Sequence, residues 1–390
     1  MQKTKYINLV IIFLTLFLCL FGMLMIYSAS SYSSEVLYGD AFHFVKKQFF
    51  GFVLGIAVFF VTYFFDYHKY YKLRFWILGL SILLLVLVFV PGLGISANGA
   101  RRWIGVGGIN LQSSEVAKFG FVVFTACYLS KNFVKTKTFK GILPILLAGG
   151  IICLLVMLEP NMSVTMCIGL VMISMLVVGG ISFKHFLILA FPALALVVVL
   201  IVIEPYRFDR LIAFINPWAN PKEEGYQLIQ SLYSLGSGGL FGVGLFNSRQ
   251  KYLFLPFAES DFIFAIIGEE LGFVGATLIV LVYVVIIALG IKISLNAKDR
   301  LGAYLSSGII FVIAIQLLIN IAVVTGSIPP TGIPMPFVSA GGTSLSVFMG
   351  AMGVLCNVGK QHENTVVSVK YNKWQFFKNK QKKIKTIDNK

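Results

Sequence analysis

Apolar runs recur along this chain, each about 20 residues long, the length at which a helix spans the hydrocarbon core of a bilayer. They lie near residues 7–27, 47–65, 74–91, 114–130, 141–158, 163–180, 185–204, 262–290, 302–325 and 340–358. Inside lipid every backbone N–H and C=O must be satisfied within the segment, so helices are the form such runs take. The expected fold is an all-α polytopic membrane protein with about ten transmembrane helices. A large loop separates the seventh and eighth spans. Composition agrees: 58% of the residues are hydrophobic and 12% are charged, against roughly a quarter charged in soluble domains. The run from Ile7 to Tyr27 exceeds the roughly 7–15 apolar residues of a signal-peptide core, so it reads as a retained first helix. The short pair 141–158 and 163–180, split by Glu159-Pro160-Asn161, is the least regular of the set.

Charge orients the bundle. The formal net charge is +16. In a membrane protein such an excess marks the cytoplasmic side and acidic lipid headgroups, not nucleic acid. One set of segments holds Lys3, Lys5, Lys69, Lys72, Arg74, Lys131, Lys135, Lys137, Lys140, Lys184, Lys292, Lys298, Arg300 and the tail from Lys360. By the positive-inside rule both termini are cytoplasmic, and loops 92–113 and 205–261 face outward. Residues 1–359 then form the transmembrane domain and 360–390 a basic tail at the membrane surface. Cys19, Cys127, Cys153, Cys167 and Cys356 sit in apolar segments with no metal spacing and read as buried free thiols. The four histidines are scattered and suggest no metal cluster.

Three stretches bear chemistry. In NGARRWIGVGGINLQSSEVAKF (98–119), Arg101 and Arg102 stand on the outer face against the charge rule. Arginine matches phosphate with a bidentate fork, so an outward anionic lipid is one reading. Snorkelling to headgroups or pairing with a carboxylate is the other. Ser113 or Ser114 can cap the helix that follows. Glu115 and Lys118 share a face of it and can pair, in a structural or a catalytic role. In the long loop 205–261, GYQLIQSLYSL has helical spacing, and the glycines of 236–244 let backbone amides approach a ligand. Arg207, Arg210, Arg249 and Lys251 add positive charge. Asp261 stands where apolar sequence resumes. Desolvation there would raise its pKa and suit it as a proton acceptor, with Arg249 opposing. Glu269, further along the same helix, is either functional or a structural hydrogen-bonding acid. In TGSIPPTGIPMPFVSAGGTSLSVFMG (325–350) the prolines exclude a helix. Ser339 and Thr343, in SAGGTS, offer hydroxyls among small residues that allow close helix packing or a lipid-sized groove.

Taken together, these segments resemble the SEDS family (shape, elongation, division and sporulation), the relatives of FtsW, RodA and SpoVE. The resemblance rests on NGARRWI, Q-x-S-E-x-x-K, GYQ-x-x-QSLYxLGSGGLFGVGL, SRQK, the acid in SDFIFAIIGEELG, and the P-x-x-S-x-GG-[ST]-S ending. NSRQK and NGARRWI are closest to the FtsW and SpoVE branches. The resemblance implies a peptidoglycan glycosyltransferase that polymerises lipid II at the outer face of the cytoplasmic membrane. Its implied partners are a class B penicillin-binding protein, division or sporulation proteins, and membrane lipids. It also implies that Asp261 is catalytic, that Glu115 and Lys118 match the family's helix pair, and that Arg101, Arg102, Arg207, Arg210, Arg249, Lys251, Ser339 and Thr343 are candidates for holding the lipid pyrophosphate. A divalent cation, Mg or Mn, is implied by the family only. The chain departs from the family at Asn161 and Ser163, where Asp and Gly are usual, and at Ser113, which replaces a proline. A flippase or a noncatalytic division scaffold are the alternatives.

Overall fold

The computed structural model describes residues 2–97, 100–106, 109–203, 205–223 and 225–361. Ten helices fall on the ten expected apolar runs. They are α1 (Gln2–Tyr38), α2 (His43–Phe64), α3 (Tyr70–Leu87), α4 (Ser113–Asn132), α5 (Phe139–Leu158), α6 (Met162–Val178), α7 (Phe183–Ile203), α10 (Ile263–Leu295), α11 (Arg300–Val324) and α12 (Gly342–Gln361). Among the described residues, seven helices are long and apolar enough to cross a membrane. Of the other three, α6 has 17 residues, and α4 carries Glu115, Lys118 and Lys131 within its length. The first helix outruns its expected end at Tyr27, continuing to Tyr38.

The loops 92–113 and 205–261 contain regular structure. Segment 92–113 contains a three-stranded antiparallel sheet: β1 (Gly94–Ala97), β2 (Ala100–Val106) and β3 (Ile109–Gln112). The strands are separated in sequence by Asn98-Gly99 and Gly107-Gly108, dipeptides that favour two-residue hairpin links. The long loop contains α8 (Pro205–Ile215) and α9 (Tyr226–Gly238). α9 is the short helix expected from its spacing. It buries Leu228, Ile229, Ser231 and Ser234 and packs on α10 and α11. Neither Ser113 nor Ser114 caps α4. The N-cap is Gln112, which makes no capping hydrogen bond, and the Ser113 hydroxyl donates instead to Glu159 Oε1 at 3.1 Å.

α10 breaks at Gly272 (φ 68, ψ −172). A Cβ there would lie 2.3 Å from the Gly242 nitrogen, so only glycine fits. The break frees the carbonyls of Glu269 and Glu270, which accept from Val243 N (2.9 Å) and Gly244 N (3.0 Å). Below it, Phe273 N and Val274 N donate to Gly239 and Leu240. The loop therefore takes over the backbone partners that a straight helix would have used. Before the break α10 is buried; after it, Phe273, Leu278, Leu281, Val284, Ile291 and Leu295 are exposed. That apolar stripe is roughly 33 Å long at 1.5 Å per residue, close to the ~30 Å of a hydrocarbon core.

Candidate active site

The first turns of α2 and the links α3–α4, α5–α6 and α11–α12, together with the segment leading into α10, meet at one end of the bundle. There they enclose a cavity of about 1640 Å³. Its charged lining includes Arg102 from β2, Arg210 from α8, Glu259 and Asp261 from the segment before α10, and Lys47 from α2. The opposite end gathers Lys69, Lys131, Lys135, Lys184, Lys298 and Arg300 in the other links and the helix turns beside them.

Asp261 is half-buried on the cavity wall. Desolvation, reinforced by the neighbouring Glu259 carboxylate, pushes its pKa up to about 7, against the pull of Arg102 and Arg210. The opposing arginines are these two and not Arg249. Glu259, two residues earlier, is also raised by desolvation. Gly332 leaves room beside the acid, since a Cβ there would stand 3.0 Å from Asp261 Oδ2.

The basic candidates separate. Arg102 lines the cavity and donates from Nε to the Glu159 carbonyl (3.3 Å) and from Nη2 to the Pro160 carbonyl. Glu159 itself is buried, and desolvation lifts its pKa to about 8 despite the Ser113 hydrogen bond and the charge of Arg102. Arg101 points elsewhere: it is exposed and its Nε donates to Ser96 Oγ at 3.2 Å. Arg210 lines the cavity and donates to the Pro330 carbonyl at 3.3 Å. The side chain of Arg207 lies outside the described residues, as do residues 362–390 of the tail. Thr343 lines the cavity and donates to the Asn110 carbonyl at 3.0 Å. Asn161, at the departure from the family pattern, also lines it and caps α6 by accepting from Val164 N at 3.3 Å.

Arg249, Lys251, Ser339 and Glu269 are not part of the cavity lining. Glu269 is buried and accepts from Ser234 Oγ (3.1 Å), Ser248 Oγ and Arg249 N (2.9 Å). The Lys251 ammonium is buried against Glu270 Oε1 (3.4 Å) and the Phe246 carbonyl. These two adjacent acids anchor the return loop to α10. Ser339 is buried and donates to the Ser260 carbonyl, tying the α11–α12 link to the acid-bearing segment. Glu115 and Lys118 form a buried ion pair at 2.8 Å, 1% and 2% exposed, inside the bundle and away from the cavity surface.

Sequence reasoning missed Lys47, Glu259 and Gly332, and two amides of α11, Gln316 and Asn320. The signal for the amides was present: polar side chains four apart in IAIQLLINIAV are costly in an apolar span and mark a role.

The fold and this cavity define a polytopic membrane protein with one acidic, arginine-flanked site at the end opposite its basic links. The family model for FtsW, RodA and SpoVE, described as "Cell cycle protein", matches residues 8–364. The chain belongs to that family. It is 41% identical over 358 residues to stage V sporulation protein E of Bacillus subtilis, covering 90% of this chain and 97% of that protein. It is 37% identical over 358 residues to a probable peptidoglycan glycosyltransferase FtsW of Geobacter sulfurreducens, covering 92% and 96%. Among solved structures, a chain from work on the structural coordination of polymerization and crosslinking by a peptidoglycan synthase complex is similar at TM-score 0.75. It shares 26% identity, with 90% and 97% of the two chains covered. The rod shape determining protein RodA of Thermus thermophilus shares the fold at TM-score 0.66 and 24% identity, covering 90% and 96%.

Proposed function

We propose that this chain is a peptidoglycan glycosyltransferase that polymerises lipid II, with its cavity on the outer face of the cytoplasmic membrane. The observation that carries the reading is one carboxylate, Asp261, with a pKa raised to about 7, in a cavity also lined by two arginines. A general base works best when its pKa lies near the working pH. Asp261 takes the proton of the acceptor sugar's 4-hydroxyl as that oxygen attacks the anomeric carbon of the donor. The bond from that carbon to the lipid pyrophosphate breaks, and the pyrophosphate leaves with the electron pair. Arg102 and Arg210 offset the charge that develops on it.

Glu259 and Asp261 are oxygen donors two residues apart on the same cavity wall. Such a pair, with substrate phosphates, suits a hard divalent cation such as Mg²⁺ or Mn²⁺. When bound, the cation would add Lewis-acid stabilisation of the leaving pyrophosphate. The partner we propose is a class B penicillin-binding protein, because the product strand must be crosslinked where it is made. The test is glycan polymerisation from lipid II by the purified chain with its transpeptidase.

Arg102 supplies a narrower test. Lysine keeps the charge but loses the planar fork that meets both carbonyls of the α5–α6 turn. Arg102→Lys is expected to raise the KM for lipid II about tenfold, the worth of one lost hydrogen bond to a charged group, while Arg101→Lys leaves it unchanged. Equal effects of the two substitutions in a lipid II titration would remove Arg102 from the site.

The proposed orientation places both termini in the cytoplasm. A cysteine at Asn220, in a background free of native cysteines, is expected to react with a membrane-impermeant maleimide in intact cells, and one at Lys137 only after the membrane is opened. The reverse pattern would invert the bundle.

A further inference from the structure

Asp261 is held by its backbone as well as by its surroundings. Asn320, buried in α11, donates from Nδ2 to two carbonyls at once: that of Asp261 (2.8 Å) and that of Ile333 (2.8 Å). One turn earlier, Gln316 is also buried. Its Nε2 donates to the Pro334 carbonyl at 2.8 Å, and its Oε1 accepts from Lys118 Nζ at 2.6 Å. Lys118 is paired to Glu115. The links run without a gap from the ion pair of α4, through Gln316, to the adjoining carbonyls of Pro334 and Ile333, and through Asn320 to Asp261.

The chemistry favours a stiff connection. An amide four residues from another lies on the same helix face. Both amides reach the same proline-rich segment, whose Pro334 cannot donate a backbone bond of its own. A carbonyl removed from water without a donor is costly, so each carbonyl holds its amide, and each amide fixes its carbonyl. The segment from Ile328 to Pro334 is also cavity wall, and Gly332 abuts the Asp261 carboxylate. A shift of this segment would move the acid and the wall together.

We infer that Gln316 and Asn320 are positioning residues that carry the constraint of the buried Glu115–Lys118 pair to the backbone of Asp261. The inference rests on the proposed role of Asp261 as base. It accounts for an ion pair buried behind the cavity wall: the pair sets Gln316, and Gln316 sets the segment that Asn320 shares with the acid.

The experiment uses full-length protein with its transpeptidase, comparing Gln316→Leu, Asn320→Leu and the double variant. Gln316→Glu is added, because it keeps an acceptor for Lys118 but loses the donor to Pro334. Each is expected to lower kcat for polymerisation about 100-fold, the effect of a misplacement on the order of 1 Å, with KM for lipid II unchanged. Links in series predict that the double variant is no worse than either single. Losses that multiply would overturn the inference, as would a rise in KM with kcat retained. Amide hydrogen exchange across residues 257–262 reads the same constraint without activity. It is expected to rise in both single variants, although Gln316 does not touch that segment. A rise in Asn320→Leu alone would break the connection. If the native protein makes no polymer, the function reading fails, while the exchange result still decides whether the connection exists.

Discussion

Asp261→Asn is expected to lower glycan polymerisation from lipid II about 100- to 10,000-fold, the usual contribution of a general base. Asparagine keeps the size of the side chain and its polar contacts, and removes only the ability to accept the proton. With the native acid, the rate is expected to rise with pH through about 7, because that is where the half-buried carboxylate ionises. Stability moves the other way. A carboxyl raised from its ordinary 3.8 to about 7 on folding favours the folded state most below 3.8. That contribution is lost as pH rises from there through about 7. At pH 8 the Asn variant is therefore expected to melt no lower than the native protein in detergent while polymerising far more slowly, and the gap in stability closes only as pH falls toward 3.8. Near-normal polymer from Asp261→Asn would end the assignment of the base. Movement of lipid II across vesicles, with no polymer from the native chain, would favour a transporter instead.

Much of this architecture was legible from length and hydropathy, because an apolar run of about 20 residues has one acceptable form in lipid. α9 was legible for a related reason: its apolar residues recur at helical spacing, and one face is buried. The sheet at 94–112 was not read, although Asn-Gly and Gly-Gly stood where hairpin links belong. That omission hid a useful deduction. Successive residues of a strand point to opposite faces, so of two adjacent arginines on β2 only one can face the cavity. It is Arg102, while Arg101 meets Ser96. Adjacency in the sequence made them look equivalent.

The long loop misled in a different way. Arg249 and Lys251 lie close to Asp261 in sequence, and charge near an acid suggests a shared site. Their true setting depends on the break at Gly272, which turns the loop back along α10 and brings Glu269 and Glu270 to meet it. Nothing local in SRQK announces that return. The wall of the site comes instead from residues far apart in the chain: Arg102, Arg210, Asp261 and Gly332 converge only when the links of five helices close on one another. Asp261 was found because its position, an acid at the edge of an apolar helix, is itself a local signal. Glu259 has the same chemistry two residues earlier and went unread, because Ala258 and Ser260 around it look like ordinary loop.

Removing one partner of the buried pair is expected to be the most destabilising single change in the bundle. Lys118→Met leaves the Glu115 carboxylate, 1% exposed, without its cation. Among the described residues neither Glu115 oxygen accepts another hydrogen bond. An uncompensated buried charge costs about 3–5 kcal/mol, a large share of the ~5–15 kcal/mol that holds a typical protein folded. The amount of protein in the membrane and its melting midpoint should both fall. Changing both partners, as Glu115→Leu with Lys118→Met, removes the stray charge and replaces the pair with apolar groups of similar size. Such exchanges are often neutral or stabilising, so the double variant should recover most of the lost midpoint. Its activity should not recover. Methionine gives Gln316 Oε1 no donor in place of the ammonium at 2.6 Å, so the amide that holds the Pro334 carbonyl is no longer fixed from behind. Restored stability with polymerisation still low separates holding the fold together from aiming Asp261. Recovery of both would assign the pair to stability alone.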